Sequence, residues 1–390
     1  MENKKQLPHG DESKVNEYYL GVSKKLRIAK YIVLLFMVAA FILTLWGYRS
    51  RLTYDNLRYI LRDIDKAGHT TMENDAVYYT ASDTNVYLYF RGDLAVGSSG
   101  GIDFHRALGS RSFSDKVNFK SPVLAGSDKY MVAYDTGGNS FYVYNSISRV
   151  YSETLKHKII CCAASDSGNF AVLTKNDVGD SVARIYDKNF ALTCEVTRAG
   201  YAYSIGFLSS DRLYVCESYS SDATLYTNVV VYTVGKDDID LSVTVQGTAL
   251  DASAVKGGYA IVTSDGVYLY DSAFEQKSYH TVGTSDILYG DVTSSGVGLL
   301  LDKNEVGARE EVMVVFADGT EYKTEVTYGA RGISLLGKRA AVLYDDVHLI
   351  CSDNGQKTKE IPSGAKKMLG MDEKSVVVCY NDYAKVFEVN

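Results

Sequence analysis

The sequence predicts an all-β chain: a β-propeller of about eight four-stranded blades, preceded by one transmembrane helix and a short stalk helix. Three observations carry that prediction. A four-strand pattern returns every 40 residues or so from about residue 75 to the end of the chain. An uncharged apolar run occurs once, near the N-terminus. The composition is rich in Tyr (32) and Gly (33) and holds only 3 Pro in 390 residues, which suits strands and tight turns, because aromatic and β-branched side chains pack well on a pleated surface.

Taken in order, residues 1–23 form a polar tail of mixed charge, expected to be disordered over residues 1–21 and cytoplasmic. Residues 24–48 are the transmembrane segment with its basic flank. The span itself runs from Tyr31 to Tyr48, YIVLLFMVAAFILTLWGY, with no charge in 18 residues. At about 1.5 Å per residue a helix of that length covers about 27 Å, close to the hydrocarbon thickness of a bilayer. Tyr31 at one end, and Trp46 and Tyr48 at the other, suit the interfacial belts. A buried core helix would show a polar stripe, and none exists. A cleaved signal needs small residues at its end, and LTLWGYRSR supplies none.

Lys24, Lys25, Arg27 and Lys30 abut the span, which places the tail inside and the large domain outside by the positive-inside rule. Arg49, Arg51, Arg58, Arg62 and Lys66 on the far side weaken that bias. Residues 49–74 are a juxtamembrane stalk and linker. In TYDNLRYILRDIDK (53–66), Leu57, Ile60, Leu61 and Ile64 recur at helical spacing, with Thr53 placed to cap.

Residues 75–390 carry the repeats. The clearest unit, 121–155, reads as PVLAGS, YMVAYDT, SFYVYN and RVYSETL. The order returns in 159–196 and again in 249–282. Third strands end on an aromatic residue and a turn former: Tyr144-Asn145, Tyr186-Asp187, Tyr270-Asp271. Second strands begin near Leu94, Tyr130, Phe170, Leu213, Tyr259, Val297, Ala340 and Ser375, at separations of 36, 40, 43, 46, 38, 43 and 35 residues. KNDVG (175–179) and KNEVG (303–307) echo one another in the loop after the second strand. Paired β-sandwiches also have short strands, but do not predict one register repeated eight times. The last unit contains only three strands, so the strand AVYYTA (76–81) is expected to complete it and remove an open edge.

Net charge is −7. The first 30 residues carry seven Lys/Arg against four Asp/Glu, so the remainder is about −10, which excludes a nucleic-acid binder. The six cysteines, Cys161, Cys162, Cys194, Cys216, Cys351 and Cys379, fall within predicted strands with no C-x-x-C spacing, and are read as buried free thiols. No N-x-S/T acceptor occurs.

Site chemistry is sparse. His9, His69, His105, His157, His280 and His348 are scattered, with no H-x-x-x-H and no metal spacing, and are read as surface or half-buried residues. Asp237, Asp238 and Asp240 make the densest acidic cluster, but lack the spacing of a calcium loop and read as a solvated turn. Ser165-Asp166-Ser167-Gly168 resembles the Asp box of some glycosidase propellers, in one copy that a blade turn explains. The pairs Gly100-Gly101, Gly137-Gly138 and Gly257-Gly258 serve turns, and no nucleophile elbow is present. No catalytic, cofactor-binding or metal residue is assigned, and no cofactor is expected.

The units SDSGNFAVLTK and VYLYDSAF resemble repeats of the broad WD40-like and quinoprotein-like propellers. With the single span, the chain is similar to an uncharacterised family of membrane-anchored propellers of clostridial-type Gram-positive bacteria. The resemblance implies fold and anchoring. It carries over no functional residue: there is no Trp-Asp pair, and the sole Trp, Trp46, lies in the span. The leading functional expectation is a non-catalytic binding or scaffold module outside the cell membrane, for a protein, peptide or cell-wall ligand. The alternatives are a hydrolase or lyase assembled from several blades, and an assembly scaffold facing the cytoplasm.

Overall fold

The computed structural model describes residues 12–47, 76–106, 111–145, 147–304, 309–350 and 356–389. The chain divides into two compact units, residues 1–71 and 72–390.

In the first unit one α-helix runs from Glu12 to Gly47. Its stretch Val22–Leu43 has a mean hydropathy of 2.2 and none of it is buried. Leu34, Leu35, Phe36 and Met37 follow one another around the helix and are all exposed, so the surface is apolar on every side, as a lipid-facing helix requires. Residues 12–21, expected to be disordered, are instead helical. Once the apolar stretch has nucleated a helix, each added residue gains a hydrogen bond without a new nucleation cost, and Glu, Lys and Leu are good helix formers. Tyr48 and the expected stalk helix at 53–66 lie outside the described residues.

The second unit is a ring of eight four-stranded antiparallel sheets. Blade 1 spans residues 86–115, blade 2 122–154, blade 3 159–198, blade 4 202–246, blade 5 249–281, blade 6 286–326 and blade 7 332–359. Each is a simple meander, first strand to fourth. First strands are innermost, since each touches the first strand of the next blade, including that of blade 8 with that of blade 1. Second strands start within one residue of the eight predicted positions.

Each blade is buried on both faces by its neighbours, so second strands are nearly continuous apolar runs. In GVGLLLD (Gly296–Asp302) every residue but the last is buried, the pattern of a two-sided sheet. Fourth strands alternate, as Glu321–Val326 does, because one side meets solvent. The apolar core is correspondingly divided into eight clusters, one in each seam between adjacent blades.

Polar side chains stitch the crossovers from one blade's outer strand to the next blade's inner strand. Thr227 Oγ1 donates to Gly247 O (2.8 Å) and accepts from Ala249 N (3.0 Å). Ser181 Oγ does the same for Gly200 O and Ala202 N, both at 3.0 Å. The buried Glu310 carboxylate accepts from Gly329 N (2.9 Å) and Ala330 N (3.1 Å). Each supplies partners to loop backbone that the sheets leave unpaired.

Blade 8 closes the ring with both ends of the domain. Its strands Lys367–Gly370, Ser375–Cys379 and Tyr383–Glu388 are completed on the outside by Val77–Tyr78. The expected closing strand at 76–81 is therefore real but shorter: Val77 pairs with Ala384 and Tyr78 with Tyr383. Tyr79 extends the pairing by one bond, from its N to Asp382 O, and its side chain is buried in the seam with blade 1.

Candidate binding surface

The blades depart from regularity most at blade 4. Its second and third strands, Arg212–Ser221 and Thr224–Thr233, are ten residues each, against five to seven for the second strands of the other blades. The first strand pairs only as far as Glu217 and the fourth only as far as Tyr226. The hairpin therefore rises beyond its own sheet, with Tyr219 opposite Tyr226, Ser220 opposite Leu225 and Ser221 opposite Thr224. Asp222 and Ala223 turn the tip at φ 49° and 61°, the left-handed pair of a tight hairpin turn. An alanine there carries a strain that Asn-Gly would avoid.

The hairpin gathers exposed aromatic and aliphatic groups. Tyr219 is 46 % exposed and Tyr201, just before the first strand, 59 %. Tyr219 stacks on Tyr226 with centroids 5.7 Å apart, and Tyr201 on Tyr203 at 6.5 Å. Lys175 of blade 3 holds its Nζ 5.7 Å from the Tyr201 ring. Tyr203 donates its hydroxyl to Ala249 O at 2.8 Å, beside Leu250, which is 52 % exposed. Ser218 N donates to Tyr201 O at 3.3 Å and ties the hairpin to this group. At its base Arg198 and Glu217 form a bidentate pair, Nη2 to Oε2 at 3.0 Å and Nε to Oε1. These contacts link exposed Tyr201, Tyr219 and Leu250 with flanking groups from blades 3 to 5.

A cavity of about 560 Å³ opens at the other end of the ring, where first strands turn into second strands in blades 6, 7 and 8. Asp291 lines it, and its Oδ2 accepts from Ser334 Oγ (2.9 Å) and Leu335 N (2.8 Å), joining blade 6 to blade 7. In blade 5, burial raises the Asp251 carboxyl above its usual range, and the Asp291 carboxylate adds to the effect.

The residues singled out in the sequence are not brought together. His157 pairs with Asp177 (3.5 Å), His280 with Glu321 (2.6 Å) and His348 with Asp346 (3.0 Å), in three separate places. His105 is not half-buried, as expected, but 2 % exposed, because the face of blade 1 that carries it is covered by blade 8. His9 and His69 lie outside the described residues. Asp237, Asp238 and Asp240 are exposed around the turn into the fourth strand of blade 4. Among the described residues no group of three or more His, Cys, Asp or Glu is placed to hold a metal. Asp166 accepts from Asp128 N (2.9 Å), while Ser167 and Asn169 donate to Ser210 O, so the Asp-box-like turn is stitching between blades 2, 3 and 4.

In KNDVG, Asn176 Oδ1 accepts from the N–H groups of Val178, Gly179 and Asp180 and shapes a turn; of the second copy only Lys303 and Asn304 are described. Cys161, Cys162, Cys194, Cys216 and Cys379 are free thiols, and Cys351 lies outside the described residues. The blade 4 hairpin was not among the predicted sites. Its signal was the 46-residue separation between Leu213 and Tyr259, the longest of the seven.

Residues 67–388 match a family described as a family of unknown function, DUF5711, and the chain belongs to it. No curated protein sequence matches the chain. Among solved structures, Sqt1 of Saccharomyces cerevisiae is similar at a TM-score of 0.59 and 11 % identity, over 81 % of this chain and 99 % of that one. BamB of Moraxella catarrhalis is similar at 0.53 and 9 %, over 80 % and 100 %. A eukaryotic initiation factor gives 0.53 and 9 %, over 83 % and 89 %. At these identities the likeness is one of fold.

Proposed function

We propose that this DUF5711 propeller is a non-catalytic binding module, anchored in the cell membrane by its apolar helix and displayed outside, which docks a protein or cell-envelope partner on the blade 4 hairpin surface. One observation carries the reading: the only long departure from the repeat among the described blades is a raised hairpin bearing exposed, stacked tyrosines. Scattered exposed aromatic groups are ordinary on a protein surface, whereas several gathered on one raised element mark an interaction surface. Tyrosines supply large, stiff contact area with a polar tip, which is why interfaces are rich in them. Val22–Leu43 supports the anchor by its length and hydropathy, and Lys24, Lys25, Arg27 and Lys30 support an internal N-terminus.

The free thiols favour the second reading, a scaffold facing the cytoplasm, because reduced cysteines suit that compartment. Protease treatment of intact protoplasts separates the two. Digestion of the propeller in intact cells supports outside display; protection until lysis overturns it. Binding is tested by co-purification from membranes, wild type against the triple variant Tyr201→Ser, Tyr219→Ser, Leu225→Ser. Loss of a partner with unchanged melting supports the surface, and an unchanged partner set overturns it.

A further inference from the structure

Blades 2 to 5 fill one place near the end of the third strand with a buried tyrosine: Tyr144, Tyr186, Tyr232 and Tyr270. At each, pairing with the fourth strand slips by a residue. Each packs in the core shared with the preceding blade. Blade 1 has the same slip, between Phe104 and His105, so the residue in the tyrosine's place is His105. Its preceding blade is blade 8, and the seam is the one that closes the ring. The imidazole is 2 % exposed, and neither ring nitrogen has a hydrogen-bond partner. The Tyr79 ring lies edge-on at 6.1 Å. A cavity of about 20 Å³, room for about one water, lies against it, lined by Val77, Leu94, Val377, Ala384 and Val386.

We infer that the seam between blades 8 and 1 is an acid-sensitive clasp, loosened when His105 takes up a proton from solvent. An imidazolium carries two donors, and this seam offers them apolar groups. On its own strand His105 is flanked by Arg106 and faced from two residues away by Asp103, which favours the proton; Arg111 on the fourth strand opposes it. The second strand contributes the fully buried Asp93. Blade 8 presents Lys385 and the neutral groups Cys379 and Tyr79, and the first strand of blade 1 Tyr87. Burial is the largest influence and pushes His105 below its ordinary value. With the folded value depressed, stability is complete above about pH 6.5 and is lost as pH falls from there toward the folded value. Over the first pH unit below about 6.5 the open seam gains about fivefold in population, approaching about tenfold per unit lower down. The closing strand makes this the seam to yield first, since it pairs at only two positions.

Cys379 reports the opening, because it is fully buried in the same cluster. Cys216, buried between blades 4 and 5, is the control. The full chain in detergent micelles is treated with 4,4′-dithiodipyridine, and rates are expressed relative to the urea-unfolded chain at each pH. From pH 6.5 to 5.5 Cys379 should react about fivefold faster, with Cys216 unchanged. His105→Tyr, which installs the residue of blades 2 to 5, should abolish the dependence. A flat Cys379 rate in the wild type, or the same slope in His105→Tyr, overturns the inference. Should that variant fail to fold, NMR of the wild-type imidazole decides: titration near pH 6.5 in the folded chain refutes a histidine held neutral by its seam.

Discussion

Tyr79 should be the most costly single residue to remove from the closing strand. Its side chain is 9 % exposed, and its one hydroxyl proton is shared between Tyr380 O at 2.8 Å and Tyr383 O at 2.7 Å. Replacement by alanine empties an aromatic-sized volume in the last seam, a loss of about 3–5 kcal/mol for large core aromatics. Tyr380 O keeps a second donor, the Tyr87 hydroxyl at 3.1 Å, and Tyr383 O keeps the Tyr380 N–H at 2.7 Å, so losing the Tyr79 hydroxyl bond adds about 1 kcal/mol. Tyr79→Ala should therefore cost about 4–6 kcal/mol, and Tyr79→Phe, which keeps the volume, about 1–2 kcal/mol. A ring of this size gains about 0.65 kcal/mol/K of unfolding entropy, so Tyr79→Ala should lower Tm by about 8 °C. Tyr78→Ala next to it is the control: Tyr78 is 69 % exposed, and its loss should stay within about 0.5 kcal/mol. The assay is thermal and denaturant unfolding of the full chain in detergent. A Tyr79→Ala variant within about 1 kcal/mol of wild type would refute the idea that the N-terminal strand holds the ring shut.

Four further outcomes follow from the packing. Alkylation of denatured, unreduced protein should modify every cysteine, and a stoichiometric disulfide involving Cys161, Cys162, Cys194, Cys216 or Cys379 would contradict the free thiols. Gly206→Ala should cost about 1–3 kcal/mol by overpacking, because a Cβ there meets the Tyr214 hydroxyl at 2.4 Å and Tyr214 is buried with little room to retreat; unchanged melting would show that the ring can move. Glu310→Gln should lose about 1–3 kcal/mol in denaturant melts, since an amide NH₂ would face a backbone N–H of Gly329 or Ala330. A chain beginning at residue 76 should melt as a closed ring, and one beginning at residue 86 should aggregate or melt far lower; equal melting of the two would mean that closure does not depend on Val77 and Tyr79.

The ring was legible because its information is local and repeated. Turn residues and apolar runs recur within each blade, and eight copies average out the ambiguity of any one. Closure was legible from a deficit, three strands at one end and one spare at the other. Its extent was not: strand propensity runs on past Tyr78, but the chain leaves the sheet edge once Tyr79 has a buried place and two carbonyls to bind. The blade 4 surface was half legible. Spacing exposed an insertion there, yet Tyr201, Tyr219 and Leu250 converge only through strand pairing that no linear window contains. His105 was misjudged for the same reason. Its covering blade is built from residues nearly the whole domain away, so nothing near FHR in the sequence reveals that water is excluded.

Closing the ring with both ends of the domain also sets the order of its folding. Tyr79 and its acceptor Tyr380 are 301 residues apart, so the last blade cannot form until nearly all of the chain has left the ribosome. Blades 1 to 7 are each contiguous and can fold as they emerge. For that interval the nascent ring is a horseshoe, with the apolar faces of blades 1 and 7 both bare at its ends. Two such ends can meet their own eighth blade or the ends of another copy. Ring closure, the longest-range event in the chain, is therefore also the step at which domain exchange and aggregation compete with the native fold.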